Sequence, residues 1–174
     1  MPLERVYVQV YTGDGKGKTT AALGLALRAA GAGLKVYIAQ FAKGIEYSEL
    51  KSLALLRESI EIHQYGLRCF ITDRPSPEDV EAARRGLEEV REAIRSKRFD
   101  LIILDEANIA TWFGLITVDE LLDVIELAGQ RSEVVITGRK ADPKIMEWAD
   151  LVTEMREIKH YYSQGVQARI GIES

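Results

Sequence analysis

Residues 6–20 read Val-Tyr-Val-Gln-Val-Tyr-Thr-Gly-Asp-Gly-Lys-Gly-Lys-Thr-Thr, a β-rich run that breaks into glycines and ends on Gly-Lys-Thr. Branched and aromatic side chains suit a pleated, half-buried surface, so Arg5–Tyr11 is expected to be a strand. The Ala/Leu-rich stretch Thr20–Ala32 predicts a helix. Strand, glycine loop and helix in this order are the setting in which Gly-x-x-x-x-Gly-Lys-Thr cradles phosphate. Here the position five before Gly17 is Thr12 and the first glycine is Gly13, so the loop is one residue shorter than the usual form.

The residue types in the loop suit an anion. Gly13, Gly15 and Gly17 let the backbone curl so that several N–H groups face one point, and the N-terminus of the following helix adds its positive end. Lys18 is expected on the phosphates as a mobile point charge, and the Thr19 hydroxyl on the magnesium ion that accompanies a nucleoside triphosphate. Thr12, Asp14, Lys16 and Thr20 complete the expected nucleotide-binding stretch. A second signal is Asp100–Glu106, Asp-Leu-Ile-Ile-Leu-Asp-Glu, four consecutive apolar residues ending in two acids. A parallel strand buried on both faces reads this way, and ligands collect at the C-terminal ends of such strands. Asp105 is then the magnesium-side carboxylate, acting directly or through a water, while Glu106 either activates a nucleophile or binds ribose.

Composition narrows the partners. A length of 174 residues fits one domain, taken as residues 1–174, and a net charge of −4 without a basic block argues against nucleic acid as a main partner. The single cysteine, Cys69, forms no internal disulfide and fits a reducing cytoplasm; two histidines, His63 and His160, make a zinc site improbable. No signal peptide or membrane span is expected.

Beyond the loop helix, strand and helix patterns alternate. Strands are expected at Leu34–Phe41, Ile60–Tyr65, up to Asp105, Glu133–Thr137, Leu151–Met155 and Gly165–Ile172. Helices are expected at 46–58, at Glu78–Arg95 with Ser76 as N-cap, through Trp112, at Val118–Ala128 and around Lys144–Trp148. In Glu78–Arg95 the apolar residues Val80, Ala83, Leu87, Val90 and Ile94 share one face. Repeated βα units predict an α/β fold with a mostly parallel sheet and helices on both faces.

Four stretches together resemble the ATP:corrinoid adenosyltransferases of the CobA/CobO/BtuR type. They are Thr12–Thr20, Leu104-Asp105-Glu106-Ala107-Asn108, Val135-Ile136-Thr137-Gly138-Arg139, and the tail from Thr153 through His160 to Gly165, Ala168 and Gly171-Ile172-Glu173. An unrelated phosphate-loop protein would share only the first two. The resemblance implies a P-loop NTPase (RecA-like) three-layer fold and transfer of the 5′-deoxyadenosyl group of ATP to a reduced corrinoid cobalt. Triphosphate is released, with Mg2+ present.

It also implies roles. Lys16 and Lys18 would stabilise the leaving triphosphate, and Thr12 with the shortened loop would turn the ribose 5′ carbon toward the corrinoid. Glu106 would hold ribose or metal, Arg139 would reach phosphate, Phe70 would face the corrinoid, and Arg156, Lys159 and His160 would close over the nucleotide or contact the corrinoid. A homodimer in the cytoplasm and an electron-donating flavoprotein partner are part of the same expectation. Longer family members carry an N-terminal extension over the site, so here the site would be more open or closed by another segment. Two competing readings are a P-loop ATP hydrolase or phosphotransferase with another substrate, and a binding module without turnover.

Overall fold

The computed structural model describes residue 3 and residues 5–44, 47–67, 74–129 and 131–173. Its strands are β1 (Val8–Thr12), β2 (Val36–Phe41), β3 (Ile60–Tyr65), β4 (Leu101–Asp105), β5 (Glu133–Thr137) and β6 (Leu151–Glu154). Its α-helices are α1 (Lys18–Gly31), α2 (Ser48–Leu53), α3 (Pro77–Arg95), α4 (Ala107–Trp112), α5 (Val118–Ala128) and α6 (Pro143–Trp148), with short 3-10 turns at Ala54–Leu56 and Tyr161–Gln164. The strands form one sheet in the order β3-β2-β4-β5-β1-β6, and every neighbouring pair is parallel.

The period of two in the central strands divides the core. In β4, Leu101 and Ile103 face the layer made by α1, while Ile102 and Leu104 face the layer made by α3 and α5. On the first face α1 contributes Ala22, Ala26 and Ala29, one small residue per turn, which brings the helix close to Val36, Ile38 and Val135. On the second face Leu87 and Val90 of α3 and Leu121, Val124 and Ile125 of α5 cover Tyr37, Ala39, Val134 and Ile136. Each such aliphatic side chain taken fully from water contributes about 1.5–3 kcal/mol, enough together to hold a three-layer sandwich. Gly86 of α3 is required by packing: a Cβ there would lie 2.3 Å from the Tyr65 ring.

Local signals set the helix starts. The Ser76 hydroxyl accepts from Asp79 N at 3.2 Å and the Asp79 carboxylate accepts from Ser76 N at 2.8 Å, a reciprocal cap on α3. Thr117 and Glu120 do the same for α5.

Three expectations are corrected. Residues 165–172 form no strand: Gly165 and Gly171 take φ of 86° and 78°, which turns the chain where a strand would extend it. The helix expected at 46–58 is only Ser48–Leu53 followed by the 3-10 turn, and residue 46 lies outside the described residues. Strand β1 starts at Val8, not Arg5; just before it, Tyr7 N donates to the Glu133 side chain at 2.7 Å. Among the described residues no helix is long and apolar enough to cross a membrane.

Candidate active site

The glycine loop joins β1 to α1, and its shape is set from outside. Met155, just past β6, donates its N–H to Thr12 O at 2.8 Å and accepts from Gly15 N at 2.7 Å. A Cβ on Gly13 or Gly15 would come within 2.5 or 2.7 Å of the Met155 carbonyl oxygen. The shape of these two glycines therefore answers to the Met155 backbone, and the Gly15 N–H is committed to Met155. Gly17, at φ 120°, begins α1, which has no side-chain cap and no acid in its first turn. The first N–H groups of that helix have no acceptor within the helix, an arrangement that suits an anion.

Lys18 is buried at 7% exposure and curls back to donate to Gly13 O at 2.8 Å and Gly15 O at 2.7 Å. Burial pushes its pKa down, opposed chiefly by the charge of Glu106. The Thr12 hydroxyl accepts from Ala141 N at 3.3 Å, so Thr12 ties the loop to the turn after β5. Asp14 and Lys16 on the loop and Thr20 in the first turn of α1 are exposed.

Asp105, at the end of β4, is 1% exposed and gathers four donors. Oδ1 accepts from Thr19 Oγ1 at 2.9 Å and Thr137 Oγ1 at 2.6 Å. Oδ2 accepts from Lys43 Nζ at 2.8 Å and Gln40 Nε2 at 3.1 Å. The topology explains the set. Gln40 is the register partner of Asp105 on β2, and β5 lies between β4 and β1, so Thr137 at its end stands between the acid and the loop. Lys43 arrives because Ala42, directly after β2, takes a left-handed φ of 53° and turns the chain over the sheet end.

Glu106 is also left-handed, at φ 59°, and its N–H donates to Thr137 Oγ1 at 3.0 Å. Its carboxyl pKa is raised, first by burial and then by Asp105, against the charges of Lys43, Lys18 and Arg139. Asn108 Nδ2 donates to Gly138 O at 3.1 Å, and a Cβ on Gly138 would lie 3.0 Å from Asn108 Cβ and 3.3 Å from a Glu106 carboxylate oxygen. The Asp105–Asn108 and Thr137–Arg139 stretches thus form one interlocked unit. Arg139 is exposed beside it, near enough for its charge to act on Lys18 and Glu106.

A second cluster lies outside the loop. Lys16 Nζ donates to Glu173 at 2.9 Å and to Tyr161 Oη at 3.0 Å, and Arg169 pairs with Glu173 at 3.0 Å. Gly15, Lys16, Arg156, Lys159, His160 and Tyr161 line a hollow of about 300 Å3 beside the loop. A larger hollow, about 550 Å3, lies between the charged faces of α3 and α5 away from these groups, so size does not locate the chemistry. Phe70 and Cys69 lie outside the described residues. Sequence reasoning missed Lys43, Gln40, Tyr161 and the clasping role of Glu173; Thr137 stood in a quoted motif without a role.

Among the described residues no group of three or more His, Cys, Asp or Glu side chains could cage a metal. Magnesium, which binds through one or two protein oxygens plus phosphates, needs no such cage. Thr19 Oγ1 donates a hydrogen bond to Asp105 Oδ1 at 2.9 Å, so a hydroxyl and a carboxylate oxygen, donor types that suit this ion, stand side by side. The donor set fits the ion.

A parallel sheet between helical layers, a glycine loop on its way into a helix, and a buried acid facing that helix's first threonine define an α/β protein of the P-loop NTPase-like class. The family described as ATP:corrinoid adenosyltransferase BtuR/CobO/CobP matches residues 4–174, and the chain belongs to it. A corrinoid adenosyltransferase of Escherichia coli (strain K12) is 35% identical over 171 residues, 98% of this chain and 86% of the relative. One from Pseudomonas aeruginosa is 33% identical, covering 98% and 84%, and the corrinoid adenosyltransferase CobA of Salmonella typhimurium is 31% identical, covering 98% and 86%.

Proposed function

We propose that this chain transfers the 5′-deoxyadenosyl group of ATP to the cobalt(I) of a corrinoid and releases triphosphate. The observation that carries the reading is the meeting of Lys18, Thr19 and Asp105 at the C-terminal end of the sheet, in a chain matched to the family over residues 4–174. The cobalt(I) electron pair attacks the ribose 5′ carbon. The cobalt–carbon bond forms as the carbon–oxygen bond breaks, the bonding pair departs on the triphosphate, and the cobalt is formally oxidised by two electrons. No proton is removed from the nucleophile, so no general base is needed.

The protein's task is then to hold negative charge where it grows. Lys18 releases the loop carbonyls and turns to the phosphates, and the first N–H groups of α1 point the same way. Lys16 joins them once it leaves Glu173. Thr19 and Asp105 would hold the magnesium ion, which when bound would supply electrostatic stabilisation of the leaving group. Glu106, pressed against Gly138 beside Asp105, holds the ribose or the ion, and Arg139 reaches phosphate from the facing turn. Arg156, Lys159 and His160, on the hollow beside Lys16, face the corrinoid. The same reading takes the chain as a homodimer, supported by the exposed outer strand β6, where Leu151 and Val152 are 44% and 43% exposed.

Incubation with ATP, magnesium and chemically reduced cob(I)alamin tests the reading. Triphosphate and a light-sensitive cobalt–carbon bond are expected in equal amounts. ADP with phosphate in their place would overturn it in favour of a hydrolase or phosphotransferase.

A further inference from the structure

Lys43 is the cation that motif reading does not place. Its ammonium stands 2.8 Å from Asp105 Oδ2 and 3.5 Å from Thr19 Oγ1, the two residues whose oxygens fit a divalent ion. The side chain is 13% exposed, and its other flank faces the Tyr47 ring, with Nζ 5.2 Å from the centroid. Burial lowers the pKa of this ammonium, but the charge and hydrogen bond of Asp105 outweigh it, with Glu106 and Glu49 in support, and the net direction is up.

The backbone is built to deliver it. Ala42 holds a left-handed conformation that a residue with a Cβ adopts only under strain. Just beyond Lys43 the chain is clamped: a Cβ on Gly44 would lie 2.4 Å from the carbonyl oxygens of Gly66 and Leu67. A strained residue on one side and a backbone contact on the other aim one lysine at one carboxylate.

We propose that Lys43 is the internal counter-cation of the triphosphate site. It neutralises Asp105 from Oδ2, next to the Oδ1–Thr19 pair that a divalent ion would use, so the ion enters only together with a triphosphate. An ammonium and a divalent ion on one carboxylate repel each other, and a bare ion brings nothing that compensates the displaced lysine. A nucleoside triphosphate brings its own anionic oxygens, which receive the ammonium when it swings off Asp105. Lys43 then adds positive charge to the leaving group. The inference rests on the reading of a magnesium–triphosphate site and deepens it.

Manganese titration followed by electron paramagnetic resonance tests the proposal. Without nucleotide, Lys43→Gln is expected to bind Mn2+ at least tenfold more tightly than the unaltered protein, Lys43→Arg no more tightly than it, and Lys43→Gln/Asp105→Asn to lose the gain. Equal Mn2+ affinity in Lys43→Gln and the unaltered protein overturns the proposal. Anomalous diffraction from crystals of the unaltered protein needs no variant. Manganese at Asp105 is expected with ATP, Lys43 having moved to the phosphates, and not with the metal alone. Manganese at Asp105 beside an unmoved Lys43 overturns the counter-cation role. Its absence from Asp105 even with ATP overturns the underlying metal reading, and the two failures are distinct.

Discussion

Lys43 and Lys16 end on carboxylates at nearly the same distance, 2.8 Å to Asp105 and 2.9 Å to Glu173, yet the pairs belong to different kinds of structure. The inner pair is 13% and 2% exposed by side chain and sits among two hydroxyls and an amide that all serve the same carboxylate. The outer pair is 39% and 15% exposed and joins the loop to a tail in which no described residue is buried. Equal distances hide unequal consequences. Water and salt screen the outer pair and replace either partner when it leaves. The inner carboxylate has only protein groups to turn to, and removing one partner strands the others.

The largest break in this comparison is Asp105→Ala. It leaves the Lys43 ammonium buried without its counter-charge and three neutral donors without an acceptor. Loss of a buried partner of this kind costs about 3–5 kcal/mol. At roughly 2–4 °C per kcal/mol for a chain of this size, the fall in Tm is on the order of 6–20 °C, measured by calorimetry. Adenosyl transfer is expected to disappear as well.

Next is Lys18→Met, which acts on rate. If Lys18 bears on charge that develops in the transition state, kcat for triphosphate release falls about 10²–10³-fold, with a smaller change in KM for ATP. A change in KM alone would reassign Lys18 to ground-state binding.

Glu106→Gln probes the inner cluster by pH. Because the folded carboxyl pKa is raised, the native state holds its proton at pH values where the unfolded chain has lost it. Stability is therefore intact below the ordinary glutamate pKa and is lost as pH rises through the folded value. Glu106→Gln is expected to unfold at higher temperature than the parent at pH 7 and to lose that advantage near pH 4. A gain of the same size at both pH values would remove charge as the cause.

The smallest effect belongs to the tail. Glu173→Ala is expected to leave Tm unchanged to within about a degree, as for a screened surface pair, while freeing Lys16 and tightening ATP modestly in calorimetric titration. A stability loss approaching that of Asp105→Ala would erase the contrast between the regions.

The parts legible in the sequence depend on neighbours along the chain. The run into the glycine loop, the apolar stretch ending at Asp105, the Ser76 cap and the amphipathic face of α3 are each contained within about twenty residues, and each was found, the first with its strand beginning at Val8 rather than Arg5. The region beyond β6 was misread because its apolar residues suggest extension while Gly165 and Gly171 turn it. Lys43 was not legible at all. Its partner is 62 residues away, and the contact depends on the left-handed Ala42, which no local pattern announces. Gly13 and Gly15 were explained by phosphate alone, because the Met155 backbone that crowds them arrives 140 residues later.

By itself the sequence determined the phosphate loop, the alternation of strands and helices and the family, since residue type at short spacing dictates local shape and the motif order is written directly in the chain. Only the tertiary structure decided what faces Asp105. Strand order placed β5 between the acid and the loop, and the turn after β2 delivered a lysine to Asp105. Both choices follow from packing a parallel sheet between two helical layers, which brings together groups that the linear chain keeps apart.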